Sequence, residues 1–111
     1  MIVRVVTLLL QLLLMQLSIL EQKIGYIFRE KDLLREALTH RSYLNENSSW
    51  GLPTNERLEF LGDAVIELIV TEELFLRFPT KPEGELTPIR SALVNYQMMA
   101  KVAGSIGLGD F

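Results

Sequence analysis

The stretch Asn55-Glu56-Arg57-Leu58-Glu59-Phe60-Leu61-Gly62-Asp63-Ala64-Val65 sets the tightest limit on what this chain can become. Glu56, Glu59 and Asp63 stand at i, i+3 and i+7, so a helix through them lines three carboxylates along one face. Leu58, Leu61, Val65 and Leu68 also repeat at helical spacing and give the same helix an apolar stripe suited to a core. Carboxylates this close repel one another unless positive charge sits among them, and a hard divalent cation with oxygen ligands is the usual remedy. The plainer reading is a solvated polar face on an amphipathic helix. Against it stand the spacing, Gly62 beside Asp63 where another backbone could approach, and a further acidic stretch at Glu83 and Glu85.

Other chemistries are excluded by what is missing. The sequence has no cysteine and one histidine, His40, which rules out disulfides, thiolate zinc sites, a cysteine nucleophile and a multi-histidine zinc centre. A net charge of -3 over 111 residues argues against holding nucleic acid by bulk positive charge, although local basic patches remain open. The length allows one small domain.

Along the chain, Val5 to Leu20 carries no charge and only Thr7, Gln11, Gln16 and Ser18 as polar breaks. This run falls short of the roughly 20 apolar residues that span a bilayer, and no small-residue cleavage site lies near Ser18. An anchoring role for the first twenty or so residues is the weaker reading, and no membrane partner is expected. Residues 1–16 are set apart as an apolar leader whose status the sequence leaves open. Leu13, Leu17, Leu20 and Ile24 have the spacing of a core-facing helix, which Gly25 suits as a C-terminal turn. A second helix is expected from Glu30 or Lys31 to about His40. His40, at the end of its apolar stripe, is read as a hydrogen-bonded structural residue rather than a ligand or proton shuttle.

Asn45 to Thr54 reads as a loop, with Trp50 either packed back on the domain or at an interface. Thr54 or Asn55 caps the central helix, which runs to about Phe78 before Pro79. A polar loop from Thr80 to Leu86 precedes Thr87-Pro88, a strong helix start, although that helix could begin earlier with Pro88 in its first turn. Residues Lys101 to Ile106 either continue this helix or start another, and Gly107-Leu108-Gly109 ends it. No strand pattern of alternating polarity occurs, so the fold class is all α.

The stretch Asn55 to Val65 resembles the signature of the ribonuclease III family, endonucleases that cut double-stranded RNA. Ala37-Leu38-Thr39-His40-Arg41-Ser42, Arg77-Phe78-Pro79, Glu83-Gly84-Glu85-Leu86-Thr87 with Arg90, Leu93, Val94 and Asn95, and Gly107-Leu108-Gly109-Asp110 are similar to its flanking motifs in order. The likeness runs from about Leu20 to Phe111. It implies that residues 17–111 form a ribonuclease III-type helical catalytic domain, with Glu59 and Asp63 as catalytic metal ligands and Glu83 approaching the metal from its loop. It places Glu56 in an acidic cluster at the subunit interface and Phe60, Leu61 and Gly62 at a dimer contact. Arg57 is read as a partner for the neighbouring acids.

The same resemblance implies Mg²⁺, with Mn²⁺ as a substitute, a homodimer whose two sites share one cleft, processing of rRNA and other precursors, and a cytoplasmic location. Family members carry a second acidic helix, Asp-x-x-Glu, after the Gly-Leu-Gly element, and then a double-stranded-RNA-binding domain. Neither lies within these residues. The domain is therefore expected to be incomplete at its C-terminus and weak or inactive by itself. A non-catalytic family member kept for RNA binding or dimerisation is the alternative.

Overall fold

The computed structural model describes residues 2–111, and among them there are six α-helices, a short 3₁₀ turn and no strand. The helices are α1 (Ile2–Ile24), α2 (Lys31–Ala37), α3 (Arg41–Glu46), α4 (Glu56–Arg77), α5 (Glu83–Leu93) and α6 (Tyr96–Ser105), with the 3₁₀ turn at Leu108–Asp110. The chain is all α, as its periodicity requires.

Helix α1 is leucine-rich and free of glycine and proline until Gly25, whose φ of 70° only glycine adopts readily. There the Tyr26 N–H donates to the Glu21 carbonyl at 3.1 Å, which reverses the chain and satisfies a helix-end carbonyl. Leu17 and Leu20 of α1 are buried against Leu34 of α2, with Phe28, Leu38, Leu108 and Phe111 packed around them. Glu21 is buried beside this core and keeps its charge matched: it accepts from the Lys31 ammonium and from the Phe28 N–H at 3.0 Å. A buried carboxylate without such partners would be costly.

Helix α2 ends at Ala37, about one turn before the expected His40: Leu38 caps it in near-helical geometry, and the Thr39 carbonyl accepts from the Asn55 N–H instead of continuing the helix. His40 instead caps a helix that the sequence reading did not foresee. Its Nδ1 accepts from the Ser42 N–H at 3.2 Å and lies 2.8 Å from the Ser42 hydroxyl, so the histidine is hydrogen-bonded at the start of α3. Buried Thr39 ties this region together: its hydroxyl donates to the Arg35 carbonyl at 2.6 Å and accepts from Trp50 Nε1 at 3.1 Å. Trp50 also stacks edge-on against Tyr43 at 5.3 Å, so it packs back on its own domain.

Asn55 fixes where α4 begins. Its N–H donates to the Thr39 carbonyl at 2.9 Å and its Nδ2 to the Ala37 carbonyl at 3.1 Å, so its side chain serves the α2 end rather than capping α4. Helix α4 then runs to Arg77, with Pro79 just beyond, as expected. Helix α5 begins a full turn before Thr87-Pro88, at Glu83, and Pro88 lies inside it. Pro82 stands at its cap in extended geometry, and Glu83 and Glu85 complement the positive end of the helix dipole. The chain then breaks at Val94, and the Asn95 side chain accepts from the Met98 N–H at 2.9 Å to start α6.

The apolar stripe of α4 corrects a second expectation. Leu61, Val65 and Leu68 are exposed rather than forming a core face, with Leu58 only half-buried, and Leu74 is the one α4 residue that is fully buried. Helix periodicity shows that a face is apolar but not what covers it. The radius of gyration is 18.1 Å, against about 13 Å for a compact domain of this length, because the chain extends over 66 × 28 × 22 Å.

Candidate active site

Glu59 and Asp63 meet at a cleft of about 390 Å³ between α4 and the start of α6, lined also by Ile66, Glu67, Val94, Asn95, Tyr96 and Met99. The two acids are one helical turn apart, so their Cβ atoms lie about 6 Å from each other. Both are exposed, and neither makes an ion pair or side-chain hydrogen bond among the described residues. Glu67 extends the row by a further turn, but its carboxylate turns to Arg90 of α5 at 3.8 Å. Arg90 is held there by the Thr71 hydroxyl at 3.2 Å. Of the three acids lining this cleft, Glu59 and Asp63 are therefore the two with no cation beside them among the described residues.

Glu56 does not join them. It lies at the opening of α4, where Arg41 approaches at 3.6 Å and the Thr54 hydroxyl donates to it at 3.2 Å, and it lines a separate recess with Glu36, Arg57, Phe60 and Leu61. Residues seven apart on a helix share a face but are separated by roughly 10 Å of rise, which is why the three-acid cluster does not form. The cation beside Glu56 is Arg41; Arg57 makes no ion pair among the described residues.

The structure also does not bring Glu83 to the pair. Glu83 opens α5 beside the far end of α4, accepts from the Thr87 hydroxyl at 2.6 Å, and lines a recess of about 460 Å³ with Leu74, Phe75, Phe78 and Leu86. Along α4 this is on the order of 15 Å from Asp63. Glu83 thus stands at the first position of α5 rather than in the loop expected from the sequence. Among the described residues no group of three acids or histidines is close enough to hold one ion.

Phe60, Leu61 and Gly62 lie on the outside of α4. Phe60 is 83% exposed, and a side chain built on Gly62 would meet open space. Together with Leu68, Ile69, Phe75 and Leu76, all exposed, they make α4 an apolar surface of the kind that marks an interaction site.

Glu67 and Tyr96 were not singled out from the sequence, while Arg90 and Asn95 were named only among the residues of the family likeness, without the roles they take here. Glu67 had a signal, standing four residues after Asp63 as Asp63 does after Glu59. Asn95 is committed to structure, since its Oδ1 accepts from the Met98 N–H and its Nδ2 donates to the Ser91 and Ala92 carbonyls.

Two exposed carboxylates with room for water suit Mg²⁺, which commonly takes one or two carboxylates and keeps several waters in an octahedral shell. They would leave Ca²⁺, with its larger oxygen count, poorly served.

Comparison with known proteins adds to this geometry. Residues 30–111 match the ribonuclease-III-like family. Ribonuclease 3 of Nitrosomonas europaea is 51% identical over 89 residues, covering 80% of this chain and 34% of that protein. Ribonuclease 3 of Streptomyces coelicolor is 51% identical over 94 residues, covering 85% of this chain and 33% of that protein. The chain thus spans about a third of the length of these relatives. Among solved structures, the nuclease domain of ribonuclease III from Campylobacter jejuni, described for flexibility in a region involved in dimer formation, superposes with a TM-score of 0.73 at 49% identity. That match covers 84% of this chain and 61% of the other.

Proposed function

Because this chain belongs to the ribonuclease III family, we propose that it supplies the Glu59/Asp63 half of a metal-dependent centre that cleaves double-stranded RNA. The observation that carries this reading is the pair of carboxylates without a cation at one cleft, while Glu67, the next acid along the helix, faces Arg90. Bound there, Mg²⁺ or Mn²⁺ would lower the pKa of a coordinated water and place positive charge on the departing phosphodiester oxygen. Glu59 and Asp63 would hold it by their carboxylate oxygens and orient the waters in the rest of its shell.

The exposed α4 surface supports a homodimer in which Phe60 and Leu61 meet the partner copy. Glu56 and Arg41, at the start of the same helix, would lie near that contact. An acidic domain is compatible with an RNA substrate, because duplex RNA is recognised by shape, phosphates and 2′-hydroxyls rather than by net protein charge alone. The cellular role that fits is processing of rRNA and other precursors in the cytoplasm.

With two charged ligands and water elsewhere, the centre in this chain is weak, and slow cleavage is expected. The chain in excess over a labelled RNA duplex should break it only when Mg²⁺ is present, and Asp63→Asn should abolish the breakage. A duplex that is left intact and bound equally well with and without Mg²⁺ would favour a non-catalytic module for RNA binding or dimerisation. Breakage that survives Asp63→Asn would remove the proposed centre.

A further inference from the structure

Helix α1 carries a feature that the family comparison does not reach, since the family match begins at residue 30. Of its 23 residues only the last third enters the domain: Leu17, Leu20 and Glu21 are buried, Leu13 is half-buried, and the rest of residues 2–16 is exposed. Exposed apolar side chains occupy most of the circumference of the helix, with exposed Gln16 as a polar interruption among them. At 100° per residue, Val5, Val6, Leu8, Leu9, Leu10, Leu12, Leu14 and Met15 leave one narrow strip to Arg4, Thr7 and Gln11.

A helix partner would need a single apolar seam with polar flanks, as in a coiled coil, and the exposed apolar surface of α1 is far wider than such a seam. A helix that is apolar over most of its circumference is covered either by a large protein core or by lipid, and this domain covers almost none of it. Even the Thr7 hydroxyl is satisfied within the helix, donating to the Val3 carbonyl at 2.7 Å, as hydroxyls must where no water is available.

We propose that residues 2–16 of α1 insert into a lipid bilayer and hold the domain at its surface. Fifteen helical residues reach about 22 Å, most of the roughly 30 Å hydrocarbon layer, and a snorkelling Arg4 side chain covers part of the remainder. At the domain end the helix gives way to Lys23, exposed Tyr26 and Arg29, the residue types that settle at a membrane interface. Lys23, Arg29, Lys31 and Arg35 on that side outweigh Arg4 on the other, which orients the domain toward the cytoplasm. The sequence reading, which expected no membrane partner, judged the run by its length and the lack of a cleavage site; the exposure of residues 2–12 is what the structure adds.

Flotation of the 111-residue chain with phosphatidylcholine–phosphatidylglycerol vesicles tests this directly. The chain should float with the vesicles and stay with them through high salt and alkaline carbonate. Leu9→Asp, at an exposed position without contact to the domain core, should weaken partitioning about a hundredfold while far-ultraviolet circular dichroism keeps its helical signal. A chain that remains in the aqueous fraction, as a monomer or as a soluble oligomer by size exclusion, would overturn the proposal. So would a Leu9→Asp variant that floats as well as the wild type.

Discussion

Leu20→Ala is expected to cost about 3 kcal/mol of folding stability, enough to leave a substantial unfolded population at physiological temperature. Leu20 is 1% exposed and stands at the centre of a core with only two other fully buried leucines, Leu17 and Leu34. Phe28, Leu38, Leu108 and Phe111 close over it from the loop after α1, the end of α2 and the C-terminal turn, so one truncation loosens three separate segments. Urea denaturation followed by circular dichroism should show the midpoint falling with little change in slope. A loss below about 1 kcal/mol would mean that the core is held elsewhere.

Phe60→Ala should act on assembly and leave the fold alone. An aromatic side chain that is 83% exposed contributes little to its own domain, but at the centre of a contact it is the type of residue that dominates binding. Loss of roughly 2–3 kcal/mol there would raise the dimer dissociation constant about 30- to 150-fold. Sedimentation velocity should show the wild type as a dimer at micromolar concentration and Phe60→Ala as a folded monomer. Identical sedimentation of the two would place the dimer contact elsewhere.

How far the sequence could be read depended on whether a feature is local. Helix α4 was legible at both ends because Asn55 and Pro79 bound an uninterrupted periodic run. Helix α5 was misplaced because Thr87-Pro88 imitates a helix start, whereas Pro82 in extended geometry with two acids after it is the real one. Helix α3 lies in a stretch rich in serine and asparagine, and its cap is a histidine, a residue with weak capping preference. The cleft needed the third dimension. Sequence spacing set Glu56 beside Glu59 and Asp63, but only packing shows that Arg41 draws off Glu56, that Arg90 faces Glu67, and that Glu83 belongs to the far end of α4. The exposed leucines of α4 and α1 were likewise visible as apolar and silent as to their partners.

The central claim is that Glu59 and Asp63, and not Glu83, bind the divalent cation. Calorimetric titration of Mn²⁺, standing in for Mg²⁺, into the wild-type chain and three single variants addresses it most directly. One cation should bind per chain; Glu59→Gln and Asp63→Asn should each weaken it by about tenfold or more, on the order of 1.4 kcal/mol, and Glu83→Gln should leave it unchanged. Wild-type affinity retained in Glu59→Gln and Asp63→Asn, or lost in Glu83→Gln, would contradict it.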